Sequence, residues 1–174
     1  MKYLYTIVLL TILGLSACKK EGINTNLDQS LEAWSDFKSS SNNTYSYIAY
    51  FGSWTGFHAE TKLTVVNGKV TIRKYKSGHY KPNTNELVAE NSWTESGATL
   101  NTHADGHPLL TIDEVYTKAK REWLSVDKKQ NEIYFEAENN GIISSAGYVP
   151  KNCADDCFTG IKIKEIKVFV KEIK

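Results

Sequence analysis

The chain has 174 residues, enough for one domain with a sizeable core. Its 41% hydrophobic and 24% charged residues read as an ordinary globular protein and exclude a disordered chain. With 21 basic against 20 acidic residues, it lacks the basic excess needed to neutralise phosphates, which excludes a nucleic-acid partner.

Met1 and Lys2 form a short positive opening, and an apolar run follows from Tyr3 to Leu15, interrupted only by Thr6 and Thr11. The run is too short to span about 30 Å of hydrocarbon, but it suits the apolar core of an export signal. Gly14, Ser16 and Ala17 then lead into Cys18. Leu15-Ser16-Ala17-Cys18 resembles the lipobox of bacterial lipoproteins. That resemblance implies removal of residues 1–17, a diacylglyceryl group on the Cys18 thiol and acylation of the new amine. Two or three chains at ~0.8 kcal/mol per buried CH₂ hold a protein on a membrane essentially permanently. Lys2 leaves with the leader, so the mature chain is formally neutral. Lys19 follows the cysteine, where an Asp would resemble the inner-membrane retention signal of enteric bacteria. The expected address is therefore the outer membrane, on its periplasmic face or at the cell surface. Lys19 to about Thr25 reads as a flexible tether, leaving 26–174 as a single domain.

Asn26 is placed to cap a helix from Leu27, with Gln29 in the capping-box position. Leu27, Leu31, Trp34 and Phe37 recur at helical spacing, and the polar run Ser39 to Asn43 ends the stripe. Thr44 to Phe51 is aromatic and β-branched enough for a strand, broken by Gly52 to Gly56. Ala59 to Val66 and Lys69 to Tyr75 form a hairpin through Asn67-Gly68. From Lys76 to His107 the signals weaken. Glu86 to Glu90 is a candidate strand, and the rest reads as the most variable insertion. Thr111-Ile112-Asp113-Glu114 is a capping box, and Ile112, Val115, Tyr116, Ala119 and Trp123 share a face of a helix ending near Ser125. Glu132 to Glu138 alternates, with Ile133, Phe135 and Ala137 on one side. Asn140-Gly141 turns the chain into a strand over Ile142 to Tyr148. The last strand covers Ile161 to Ile173, and its apolar register shifts between Ile163 and Ile166, which predicts a bulge near Lys164. The expected fold is α+β: an antiparallel β-sheet of about six strands with two helices packed on one face.

Cys153 and Cys157 enclose Ala154-Asp155-Asp156. Export permits a disulfide, and a helical turn or a tight loop brings such a pair within bonding distance. Closing so short a ring stabilises by about 2 kcal/mol. The spacing is not the Cys-x-x-Cys of redox pairs, and Asp155 and Asp156 read as an exposed acidic turn. Trp34, Tyr45-Ser46-Tyr47, Val66-Asn67-Gly68-Lys69-Val70 and Thr111-Ile112-Asp113-Glu114-Val115-Tyr116 form a recognisable set. Together with Gly147-Tyr148, Asp156 and Phe158, they resemble a family of small secreted bacterial domains of unknown function, many of them lipoproteins. The resemblance covers about Leu27 to Phe169. Many members carry cysteines soon after the Tyr-x-Tyr strand, whereas Ala49 to Phe57 has none. It implies this fold and transfers no catalytic residue.

The best chemical candidates are the imidazoles and carboxylate of His103-Ala104-Asp105-Gly106-His107, with His58 or His79 as a third ligand. A metal-dependent hydrolase using His103, Asp105 and His107 is the alternative reading. The same residue types are also common in a polar loop for conformational reasons. No Gly-x-Ser-x-Gly elbow, His-Glu-x-x-His pair or Walker loop is present. The expectation is no enzyme, no metal and no cofactor. The domain reads instead as a non-catalytic interaction or binding module, held at the membrane by its lipid and contacting an envelope protein. Trp54, Phe57, Tyr75, Tyr80 and Trp93 are the candidate contact aromatics. Lys162, Lys164, Lys167 and Lys171 read as a solvated strand face.

Overall fold

The structure, a computed structural model, describes residues 22 to 170 apart from Pro82 and Asn85. The export leader, Cys18 and the tether as far as Glu21 lie outside the described residues, as do Lys171 and the expected strand end at Ile173. In chain order the elements are α1 (Ile23–Ser40), β1 (Tyr45–Gly52), β2 (Phe57–Val66), β3 (Lys69–Tyr80) and β4 (Leu87–Ser96). Next come α2 (Ile112–Lys118), β5 (Asn131–Glu136), β6 (Ser145–Pro150) and β7 (Thr159–Val168). The strands form one sheet in the order β4-β3-β2-β1-β7-β6-β5, antiparallel throughout. The α+β class therefore stands, with seven strands among the described residues rather than about six. The addition comes from the weak region. β3 runs on to Tyr80, and β4 is a ten-residue edge strand whose mostly exposed residues hide the alternation that marks a strand.

β1 organises the core. Tyr45, Tyr47 and Ala49 are buried on one side, opposite Val65, Leu63 and Thr61 of β2. Both helices cover this face: Leu27 and Trp34 of α1 join Ile112, Val115 and Tyr116 of α2 in one cluster with the sheet. Trp34 packs edge-on against Tyr45, with ring centroids 5.0 Å apart. The phenols are tied to the α2 start, Tyr45 accepting from the Ile112 amide at 2.9 Å and Tyr47 donating to the Leu110 carbonyl. Tyr116 links three elements. Its hydroxyl bonds the Ser30 hydroxyl at 2.6 Å, donates to the Ser30 carbonyl at 2.9 Å and accepts from the Ile143 amide at 3.1 Å.

Local signals hold where backbone chemistry dictates them. Asn67 and Gly68 take φ of 49° and 75°, the left-handed pair of a tight hairpin turn. Thr111 accepts from the Glu114 amide at 3.3 Å while Glu114 accepts from the Thr111 amide at 2.7 Å, a complete capping box. The expected bulge lies at Lys164: Ile48 pairs with Glu165 and Ala49 with Ile163. Other expectations are corrected. Asn26 does not cap α1, which starts at Ile23 behind Gly22, so Ile23 to Thr25 form its first turn rather than tether. Ile23 stands four residues before Leu27 and extends the apolar stripe. α2 passes into a π-helical turn, Ala119–Trp123. β6 starts at Ser145, and Ile142 and Ile143 lie buried in the connection from β5. Among the described residues, no helix is long and apolar enough to cross a membrane.

Candidate functional site

β1 and β7 pair only from Tyr45–Val168 to Ala49–Ile163. Beyond that point β1 continues to Gly52 along β2, and β7 begins at Thr159 along β6. The sheet thus divides, and the two strand edges that would have met instead border a cleft of about 390 Å³. Tyr50, Phe51 and Gly52 line it from β1, and Gly160, Ile161 and Lys162 from β7. Phe57, Ala59 and Thr61 of β2 and Tyr75 of β3 add to the wall, with Gly106 to Pro108 on one side and Asp156 and Phe158 on another. Ser53 donates to Asp156 at 2.6 Å, joining the β1–β2 turn to the loop between β6 and β7. The Cys153 and Cys157 sulfurs are at disulfide-bonding distance in that loop, with Cα atoms 6.3 Å apart.

The Gly106–Pro108 wall is held by a buried ion pair. The β3 bulge, with Val65 opposite Val70 but Thr64 opposite Ile72, turns Arg73 to the covered face, where it faces Leu63. Arg73 donates to Glu95 at 2.8 Å, and their side chains are 2% and 0% exposed. A buried pair is tolerable only when its remaining donors and acceptors are met. Arg73 also donates to the carbonyls of His103 (2.8 Å) and His107 (3.2 Å), and Glu95 accepts from the amides of Asn101 (2.9 Å) and His103 (2.6 Å). The Arg73 hydrogen bond first, and then these amides against the cost of burial, hold the Glu95 carboxyl well below the usual carboxylate range. Gly106 closes the loop with φ of 83°, and a Cβ there would lie 3.1 Å from both Thr61 and Tyr75.

This geometry uses the His103–His107 segment through its backbone. The His103 ring stacks on Trp93 at 4.3 Å and its Nδ1 lies 2.9 Å from Glu95. His107 lines the cleft instead; its amide donates to Thr61 at 2.9 Å and its Nδ1 is 3.1 Å from the Pro108 carbonyl. Burial, reinforced by the Arg73 charge and opposed by the Pro108 carbonyl, pushes the His107 imidazole down to about 4. It is a neutral wall near pH 7. Asp105 is exposed in the same loop. His58 packs at a tilt against Tyr80, with ring centroids 4.2 Å apart, and His79 meets Glu90 at 2.8 Å. Among the described residues, no group of three or more His, Cys, Asp or Glu side chains is arranged to hold a metal ion.

Of the five candidate aromatics, Phe57 and Tyr75 line the cleft. Trp93 stacks on Tyr75 at 5.1 Å beneath the Arg73 guanidinium and lies outside the lining. Trp54, 76% exposed, stands in the turn between cleft-lining Gly52 and Phe57. Tyr80 lies against His58, outside the cleft lining. Phe51, 48% exposed, and Phe158 complete the aromatic wall; neither is among the candidate contact aromatics. Phe51 reads as an ordinary strand residue, and only the division of the sheet uncovers it. Lys164 is exposed, as expected of a solvated strand face, and from there joins Lys76 in clamping the buried Glu60 carboxylate, at 2.8 and 2.9 Å. Burial opposes ionisation of Glu60, but these two ammonium groups outweigh it and lower its pKa.

Comparison with protein-family models, with curated protein sequences and with solved structures returns no match.

Proposed function

We propose that the chain is a lipid-anchored cell-envelope protein whose folded domain is a non-catalytic binding module, with the cleft in the divided sheet as its contact site. The lipobox-like Leu15 to Cys18 supports the anchor, and Lys19 after it supports the outer-membrane address. The observation that carries the binding role is the aromatic surface left open where β1 and β7 part. Phe51 and Trp54 stand in solvent beside a cleft walled by Phe57, Tyr75 and Phe158. Exposed apolar area forgoes about 25 cal/mol per Å² of burial, and its concentration in one concave place marks a contact surface. Aromatic rings supply such contact at little entropy cost, and the volume falls within the range of roughly 300–1,000 Å³ typical of binding sites.

The polar groups around the cleft support binding over catalysis. Thr61 is engaged by the His107 amide, Asp156 by Ser53, and burial keeps the His107 imidazole neutral although the Pro108 carbonyl opposes it. The His103, Asp105 and His107 hydrolase alternative gains no support, since the first imidazole is spent on Glu95 and Trp93.

Photo-crosslinking in intact cells tests the contact role. Benzoylphenylalanine in place of Trp54 should give a discrete adduct with an envelope protein, and the same probe in place of the exposed α1 residue Glu32 should not. No adduct, or the same adducts from both positions, would overturn the reading. The anchor is tested by the intact mass of the natural protein, which should begin at an acylated Cys18; a retained Met1 or an unmodified Cys18 contradicts it.

A further inference from the structure

We infer that the cleft takes a short apolar peptide in extended conformation, which adds as a strand to the free edge of β1 or β7. The inference rests on the binding role proposed above and names the chemistry of what binds.

Backbone groups are the argument. An edge strand presents a row of N–H and C=O groups that call for partners, and proteins normally blunt such edges with charge, bulges or cover. The two outer edges of this sheet follow that rule: β4 shows Glu90 to solvent, and β5 shows Glu132 and Glu136. The inner edges are far less protected. Tyr50-Phe51-Gly52 and Thr159-Gly160-Ile161 carry no charge, the one cation beside them, Lys162, lies over the Phe158 ring, and among the described residues each segment is paired on its outer side only, bordering the same cleft. The Lys164 bulge falls where the pairing ends, so the two strands part immediately beyond it.

An acyl chain or a bare aromatic ring would fill the apolar space but offer nothing to these amides and carbonyls. A peptide does both. Its main chain pairs with one edge, and alternate side chains, pointing the same way at period two, reach Phe57, Tyr75, His107 and Phe158. The free edges are short, so the recognised segment is about four or five residues long, at roughly 3.3 Å per residue. The rings of Phe57, Tyr75 and Phe158, with neutral His107 among them, favour apolar side chains at the positions that face them.

The test uses the mature lipoprotein in nanodiscs, with empty nanodiscs as the control and fluorescence anisotropy as the readout. The probe is a labelled, capped pentapeptide, Thr-Phe-Thr-Leu-Thr, with two analogues N-methylated on alternate sets of amides. The parent should bind. One N-methyl set should weaken it about tenfold or more, the size expected for one or two lost net hydrogen bonds, while the other set leaves it unchanged. Amide exchange at Tyr50–Gly52 or Thr159–Lys162 should slow in the complex. Equal binding of both analogues and the parent would overturn main-chain pairing while leaving the cleft a binding site. Failure of the parent to bind, alongside a Trp54 adduct, would overturn the peptide assignment alone. Failure of both would take the binding role down with it.

Discussion

The neutral state of His107 makes a prediction that can be worked through. An unfolded chain titrates this imidazole near 6.5, whereas in the fold it is pushed down to about 4. Between those values the unfolded chain binds more protons than the native one, so stability rises with pH across the window and falls as the solution is acidified. At up to 1.36 kcal/mol per pH unit the whole window is worth about 3 kcal/mol, and about 2 kcal/mol once the partial solvent contact of the ring is allowed for. Replacing His107→Gln removes the titration but keeps the amide that bonds Thr61 and the carbonyl that accepts from Arg73. Urea unfolding followed by tryptophan fluorescence would give the stability of both proteins from about pH 7 to about pH 4.5. The carboxylates Glu60 and Glu95, also held below their ordinary values, are common to both and cancel in the difference. The advantage of the parent over the variant should shrink by about 2 kcal/mol across that range. Curves parallel to within about 0.5 kcal/mol would refute the account of His107 as a half-buried neutral wall.

Three further changes probe the frame that positions the cleft. Tyr116→Phe strips the hydroxyl from Ser30 and the Ile143 amide and should cost about 2–3 kcal/mol in urea unfolding, since buried partners are left unmet; a loss under about 0.5 kcal/mol would show the hub to be incidental. Thr111→Ala should cost about 1 kcal/mol by loss of the α2 cap, read as a lower thermal midpoint. Gly106→Ala should cost about 1–2 kcal/mol and shift the fluorescence of Trp93, because a left-handed backbone and the contact with Tyr75 both oppose a Cβ. A fully stable Gly106→Ala protein would mean that the loop relaxes away from the cleft.

Much of the fold is legible in short range because single residues determine it. Asn67-Gly68 admits the left-handed turn, Thr111 with Glu114 closes its own cap, and the break in the apolar register of β7 locates the Lys164 bulge. What short range hides is set by pairing between distant residues. The Thr71 bulge inverts the facing of β3, so Arg73 reads as a surface residue although it lies fully buried against Glu95. Glu95 itself sits in an edge strand with no clean alternation. The histidine-rich segment looks like chemistry because imidazole is the conspicuous group, whereas the structure uses its amides and carbonyls, which every sequence carries. Phe57 and Tyr75 were recognisable as contact aromatics, but Phe51, Phe158 and His107 join them only because β1 and β7, more than a hundred residues apart, separate beyond Ala49 and Ile163.

The division of the sheet as a binding site is the claim on which the rest turns, and amide shift mapping reaches it directly. The isotopically labelled domain would be titrated with N-acetyl-tryptophanamide, a probe with one aromatic ring and one peptide unit. Shifts concentrated in Tyr50–Gly52, Gly106–Pro108 and Phe158–Lys162 are predicted. Shifts centred instead on Lys62, Lys74 and Lys76 of the opposite face, or no saturable shift anywhere, would contradict it.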